Sequence, residues 1–218
     1  MNYDIISELP LFRGIDPSEL PDIMQCTGTI PKTYERNQEI IPKPEISDAV
    51  GIIITGNVKI RMEDIWGNYT VAASLTRGDT FGESFGFGGK ERVGISVFTT
   101  TKCEILFMPF MSIVHLSADD RHSHKVLFTN MIKIMADKNL DLLEKMEIVT
   151  KRTLRDKVLS YLSSQCRQNG SKFFMVPMGR TEMAEYLCAD RSALTRELNH
   201  LRSDGIIDYD RNTFKILV

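Results

Sequence analysis

Between Pro109 and Gly170 the chain contains neither glycine nor proline. Those two residues interrupt helices more effectively than any others, so a long segment without them is free to run as helix. Its apolar residues say how it packs. Phe128, Ile132, Met135, Asn139, Leu142, Met146 and Val149 recur at alternating steps of four and three. This is the a/d seam of a coiled coil, and the polar Asn139 at one seam position would fix register. A second stripe, Leu127, Met131 and Ile134, lies on another face. A helix apolar on two sides needs two partners, its own domain and a second copy of the chain. The spacing predicts a symmetric homodimer through a helix over 113–150. Ser117 with Asp120 three residues later resembles a capping box near its start, and Thr153 is a candidate start for a following helix.

Upstream the pattern changes. From about residue 28 to 112, short β-branched and aromatic runs alternate with turn signals such as Thr55-Gly56-Asn57 and Trp66-Gly67-Asn68. The runs include Ile52-Ile53-Ile54, Val58 to Met62, Tyr69 to Val71, Gly94 to Phe98 and Glu104 to Met108. Many short strands at this spacing point to an antiparallel barrel or sandwich. Residues 1–25, with Leu9-Pro10-Leu11-Phe12 and Asp16-Pro17, read as one or two short helices or turns. The class is α+β.

Charge is unevenly divided. Residues 1–150 hold 15 Lys/Arg against 21 Asp/Glu, whereas residues 151–218 hold 12 against 8. A basic C-terminal module on an acidic body suits phosphate binding confined to the C-terminal part. There, Leu154, Val158, Tyr161 and Leu162 make an amphipathic helix ending near Asn169-Gly170. Arg180 to Leu187 forms a short helix, Cys188-Ala189-Asp190 a tight turn, and Arg191 to Arg202 the next helix, for which Asp190 is a good N-cap. Two short helices joined by a three-residue turn are a helix-turn-helix, whose second helix enters the major groove of double-stranded DNA. Met183, Ala184, Leu187, Leu194, Leu198 and Leu201 hold the pair together. The face left over carries Arg191, Ser192, Thr195 and Arg196, placed to reach base edges. Arg180 and Thr181 are further candidate DNA contacts. Ile206 to Tyr209, the turn Asp210-Arg211-Asn212, and Phe214 to Leu217 read as a hairpin, the expected wing.

With these residues in place, the sequence resembles the Crp/Fnr family of bacterial regulators over nearly its whole length. Leu9 to Ile15 follows a loose family pattern. Gly51 to Lys59 and Leu75 to Glu83 are similar to the cyclic-nucleotide-binding β-roll, and Asp190 to Leu198 to the recognition helix. The resemblance implies a sensor β-roll over 1–112, a dimerisation helix over 113–150 and a winged helix-turn-helix over 151–218. It implies a dimer reading a palindromic site in response to an effector, with RNA polymerase as a further partner. Arg196 corresponds to the family's guanine-reading Arg, with Arg191 and Ser192 at neighbouring variable positions. Many members carry Glu where Ser192 stands, so the half-site should differ from theirs. Gly179 stands where Ser or Thr is common, which removes one phosphate contact.

The sensor departs from the nucleotide-binding pattern. Phe81, Gly82, Glu83, Ser84 and Phe85 keep the Gly-Glu landmark, but the Arg-Ser or Arg-Thr pair that grips the cyclic phosphate falls on Val93-Gly94, with Arg92 one residue early. The purine-contacting hydroxyls of the dimer helix fall on Leu142 and Leu143. A buried phosphate without a guanidinium is costly, so cyclic AMP is not expected; a small organic effector, or none, suits this lining better.

Other classes find less support. Cys26, Cys103, Cys166 and Cys188 have no metal-finger or iron–sulfur spacing, and there is no haem signature. His115, His122 and His124 near Asp119 and Asp120 read as a solvated helix start rather than a metal site. No nucleophile–base pair, phosphate loop or metal motif marks an enzyme. No apolar run approaches the ~20 residues that span a bilayer, and the N-terminus reads as no secretory leader, so a cytoplasmic location is expected. The competing reading is a cyclic-nucleotide-binding-like regulatory subunit working through protein contacts, against which the basic second helix argues.

Overall fold

The structure is a computed structural model that describes residues 2–40, 48–67, 69–83, 95–116 and 120–218. The chain forms two compact units, Met1–Ala136 and Asp137–Val218.

In the first unit Asn2 caps α1 (Tyr3–Ser7), its side chain accepting from the Asp4 and Ile5 amides at 3.1 and 3.5 Å. Two 3-10 turns at Pro10–Phe12 and Pro17–Glu19 follow, each begun by a proline whose missing N–H is no loss there. α2 (Leu20–Thr27) stops at Gly28, which takes the left-handed conformation that ends many helices. Next come β1 (Ile30–Tyr34), β2 (Ala49–Thr55), β3 (Val58–Glu63), β4 (Tyr69–Leu75), β5 (Thr80–Phe81), β6 (Ile95–Thr99) and β7 (Cys103–Pro109). They pair antiparallel in two sheets, ordered β1-β7-β2-β5 and β4-β3-β6.

β2 explains the unbroken run Ile52-Ile53-Ile54. Every residue from Ala49 to Ile54 is buried, because both faces of the strand are covered. Val50, Ile52 and Ile54 point into a core with Ile6, Leu11, Phe12, Leu20 and Ile23 of the N-terminal segment. Ala49 and Ile53 point into a second core with Tyr34, Val58, Phe81 and Phe107. β7 divides likewise, with Leu106 and Met108 on the helical side and Cys103, Ile105 and Phe107 on the other.

After β7 come α3 (Phe110–Leu116) and α4 (His122–Val149). The single helix expected over 113–150 is therefore two: residues 120 and 121 before α4 are not helical, and Ser117 of the expected capping box lies outside the described residues. The second stripe behaves as read, since Leu127 and Met131 are buried in the first core and Ile134 packs against it. The seam is divided. Phe128 and Met135 also lean on that core, whereas Ile132, Leu142 and Met146 are 50%, 65% and 59% exposed. Asn139 is exposed and Val149 half-buried.

The second unit packs the end of α4 through Ile148 with α5 (Leu154–Asn169), α6 (Arg180–Tyr186), α7 (Arg191–Ser203) and a three-stranded sheet. Thr153 caps α5 by accepting from the Asp156 amide at 3.1 Å. Glu144 of α4 accepts from the Ser164 hydroxyl and, at 3.2 Å, from the Gln168 amide, holding α4 to α5. β9 (Ile207–Asp210) and β10 (Thr213–Ile216) form the expected wing, and β8 (Phe173–Met175) adds a third strand in the order β8-β10-β9. The sequence reading missed β8, whose only inward residue is Phe174.

Candidate DNA-reading surface

α6 and α7 are joined by a turn whose geometry follows from three residues. Cys188 takes a left-handed φ of 51°, which turns the chain after α6. The Ala189 amide donates to the Ala184 carbonyl at 2.9 Å. Asp190 then starts α7, one carboxylate oxygen accepting from the Ser192 and Ala193 amides at 2.8 and 3.0 Å and also from the Ser192 hydroxyl. The Ser192 hydroxyl, the two amides and the nearby Arg196 charge hold the Asp190 carboxyl below its ordinary value.

α7 is fixed on three sides. Leu194, Leu198 and Leu201 are fully buried in a core with Val158 and Leu162 of α5, Met183 of α6 and Leu187 just after it. Arg155 of α5 bonds Glu197 at 3.3 Å and Asp204 at 2.6 Å. On the wing side the Tyr209 hydroxyl donates to Asn199 at 2.7 Å, and Arg202 pairs with Asp208 at 3.0 Å.

The remaining face carries Arg191, Ser192, Thr195 and Arg196, all exposed. They are not equivalent. The Ser192 hydroxyl is occupied by Asp190, and the Thr195 hydroxyl donates to the Arg191 carbonyl at 2.9 Å. The guanidinium groups of Arg191 and Arg196 make no hydrogen bond or ion pair to the described residues, so theirs are the uncommitted donors. Thr181 is exposed at the start of α6, where the Gly179 amide donates to Glu182 at 3.1 Å. Arg180 is half-buried against the wing, 5.0 Å from the Tyr209 ring centre, and its Nη2 donates to the Arg211 carbonyl.

The sensor residues are less fully described. Phe81 is 7% exposed and packs edge-on to Phe107 at 6.1 Å. Gly82 has φ 88°, and a Cβ there would fall 2.8 Å from the Ala49 carbonyl oxygen, so glycine is required. Glu83 beside it is buried. Ser84, Phe85, Arg92, Val93 and Gly94 lie outside the described residues. Leu142 and Leu143 are 65% and 52% exposed on the part of α4 belonging to the second unit. Of the expected pocket residues the structure therefore describes Phe81, Gly82 and Glu83 in the first unit and Leu142 and Leu143 in the second.

Residues 31–120 match the family described as cyclic nucleotide-binding domain, and residues 156–218 the one described as Crp-like helix-turn-helix domain. The chain belongs to the Crp/Fnr family. With its Crp-like helix-turn-helix domain it is a DNA-binding transcription regulator of the Crp/Fnr type. It is 25% identical over 187 residues to the transcriptional activator protein FnrL of Cereibacter sphaeroides, covering 81% of this chain and 71% of that one. Its fold is similar to that of CprK complexed with OCPA, at 13% identity and a TM-score of 0.67, over 92% of this chain and 91% of that one. It is also similar to a CooA variant from Carboxydothermus hydrogenoformans, at 16% identity and a TM-score of 0.64, over 89% and 86% of the two chains. A third similar structure is the c-di-GMP responsive global regulator CLP of Xanthomonas campestris, at 16% identity and a TM-score of 0.62, over 93% and 100%. No described helix is long and apolar enough to cross a membrane.

Proposed function

We propose that this regulator acts as a homodimer whose two α7 helices read the half-sites of a palindromic DNA sequence, and that a small molecule in the β-roll controls it. The observation that carries the reading is the outer face of α7, where the Arg191 and Arg196 guanidinium groups make no hydrogen bond or ion pair to the described residues, on a helix otherwise held in place. A bidentate arginine on guanine is the commonest specific contact in the major groove. Arg196 is the principal base reader and Arg191 its neighbour; Ser192 and Thr195 shape the reading end, and Thr181 faces the backbone. Dimerisation is supported by Ile132, Leu142 and Met146, apolar and half or more exposed on one helix with Asn139 among them. Two-fold symmetry in the protein calls for two half-sites about one helical turn, ~34 Å, apart.

The effector is not cyclic AMP on this reading, because Val93-Gly94 stands where the phosphate-gripping pair is expected. Among the similar structures CprK is complexed with OCPA and CLP is responsive to c-di-GMP, so one fold serves different effectors. Phe81, Gly82 and Glu83 are the described residues at which a ligand would act. RNA polymerase is the further partner and the cytoplasm the location.

The deciding experiment selects genomic fragments with the purified, effector-free dimer and sequences what is retained. A palindromic motif supports the reading. No enrichment, with or without candidate metabolites, overturns it.

A further inference from the structure

Arg180 begins α6, the helix that crosses the DNA backbone in a helix-turn-helix, so a phosphate contact is the obvious role for it. Its guanidinium is engaged elsewhere. It lies 5.0 Å from the ring centre of Tyr209 and 5.1 Å from that of Phe214. Nη2 donates to the Arg211 carbonyl. Nη1 is buried with no hydrogen-bond partner among the described residues. Reaching a phosphate would mean giving up both rings and the carbonyl.

Arg211 is in the opposite situation. It occupies the wing turn at φ 48°, a conformation uncommon for a residue with a Cβ. Two donors tie the turn down: Arg180 on the Arg211 carbonyl and the Val176 amide on the Asn212 carbonyl at 2.8 Å. The Arg211 side chain is exposed and makes no hydrogen bond or ion pair to the described residues. The bond to Arg180 places the wing turn beside the start of α6.

We propose that Arg180 is a positioning residue for the wing and that Arg211, which it holds in place, makes the contact to a backbone phosphodiester beside α6. This role rests on the DNA-binding reading above. A planar guanidinium suits the position because it can stack on a ring and still donate at its edge, which an ammonium does less well.

The test uses full-length protein and a random-sequence DNA duplex, since non-specific affinity is set by phosphate contacts. Affinity is measured against salt for wild type, Arg180→Lys, Arg211→Gln and the double variant, and amide exchange of Thr213–Ile216 is followed in free protein. Arg211→Gln should flatten the salt dependence of log K by about 0.9 per engaged subunit. Arg180→Lys keeps the charge, yet it should lose a comparable share of affinity and speed exchange in the wing. The double variant should bind no more weakly than Arg211→Gln, because both changes remove one contact. Wild-type binding by Arg180→Lys, or losses that add in the double variant, would overturn the positioning role. Arg211→Gln alters only an exposed side chain, so an unchanged salt slope there overturns the proposal even if Arg180→Lys unfolds the wing. Should wild type fail to bind the duplex at low salt, the DNA-binding reading itself fails; wild-type binding with additive losses sinks this inference alone.

Discussion

The Phe81 ring covers Gly51 on the neighbouring strand so closely that a Cβ on Gly51 would stand 2.3 Å from the ring's Cζ. The two are cross-strand partners, Gly51 on β2 and Phe81 on β5, and the ring fills the space that a side chain would take. Gly51→Ala should therefore force Phe81 aside and destabilise the first unit by about 1–3 kcal/mol, as over-packing does. Phe81→Leu in the same chain should recover part of the loss. Chemical denaturation of the three variants checks both statements.

Asp190 gives the second unit a pH dependence of definite sign. Its folded carboxyl titrates below the ordinary value because the ionised form accepts from the Ser192 hydroxyl and from two amides. The stability it supplies is complete above the unfolded value of about 3.9 and drains away as pH falls through the lower folded value. Asp190→Asn still caps a helix but does not titrate. The melting temperatures of wild type and Asp190→Asn should keep a constant gap from neutrality down to about pH 4, and the gap should change below it. A gap unaltered in acid would show that the charge contributes nothing.

Arg196→Ala should reduce affinity for the selected palindrome by about 1–3 kcal/mol for each half-site while leaving the dimer intact. Titration of labelled duplex, with sedimentation of the same sample, separates the two effects. Unchanged affinity would remove Arg196 from base reading.

Leu142→Asp places a charge on a side chain already 65% exposed in the single chain, so the fold should survive and the dimer should not. Asn139→Leu should act the other way, tightening association while loosening register. Sedimentation equilibrium and far-ultraviolet dichroism report both outcomes.

Calorimetry with cyclic AMP should give no heat of binding at micromolar concentrations. A micromolar dissociation constant would mean that Arg92 reaches the phosphate despite standing one residue early.

Much of this structure was legible because its periodicities are local. The turn at Cys188 to Asp190, the buried leucines of α7 and the stripe of Leu127 and Met131 all follow from spacing along a single helix or turn. What escaped depends on partners distant in sequence. Phe128 and Met135 read as seam residues, yet they also lean on a core supplied by the first residues of the chain. Arg180 reads as a DNA contact until the wing folds over it, 31 residues further on. The hydroxyls of Ser192 and Thr195 read as base readers, yet in the folded helix Asp190 and the Arg191 carbonyl already hold them. β8 is too short for alternation to register.

Few strands tolerate as little change as β2. In a sheet with one wet face, every second residue is free to drift among polar alternatives without harm. Here the six residues from Ala49 to Ile54 are buried in turn on one side or the other. A saturation library across them should find no position that accepts a charged side chain. A single-residue insertion would trade the contents of two cores at once, so the strand should diverge by substitution among small and branched apolar residues and hardly at all by change of length.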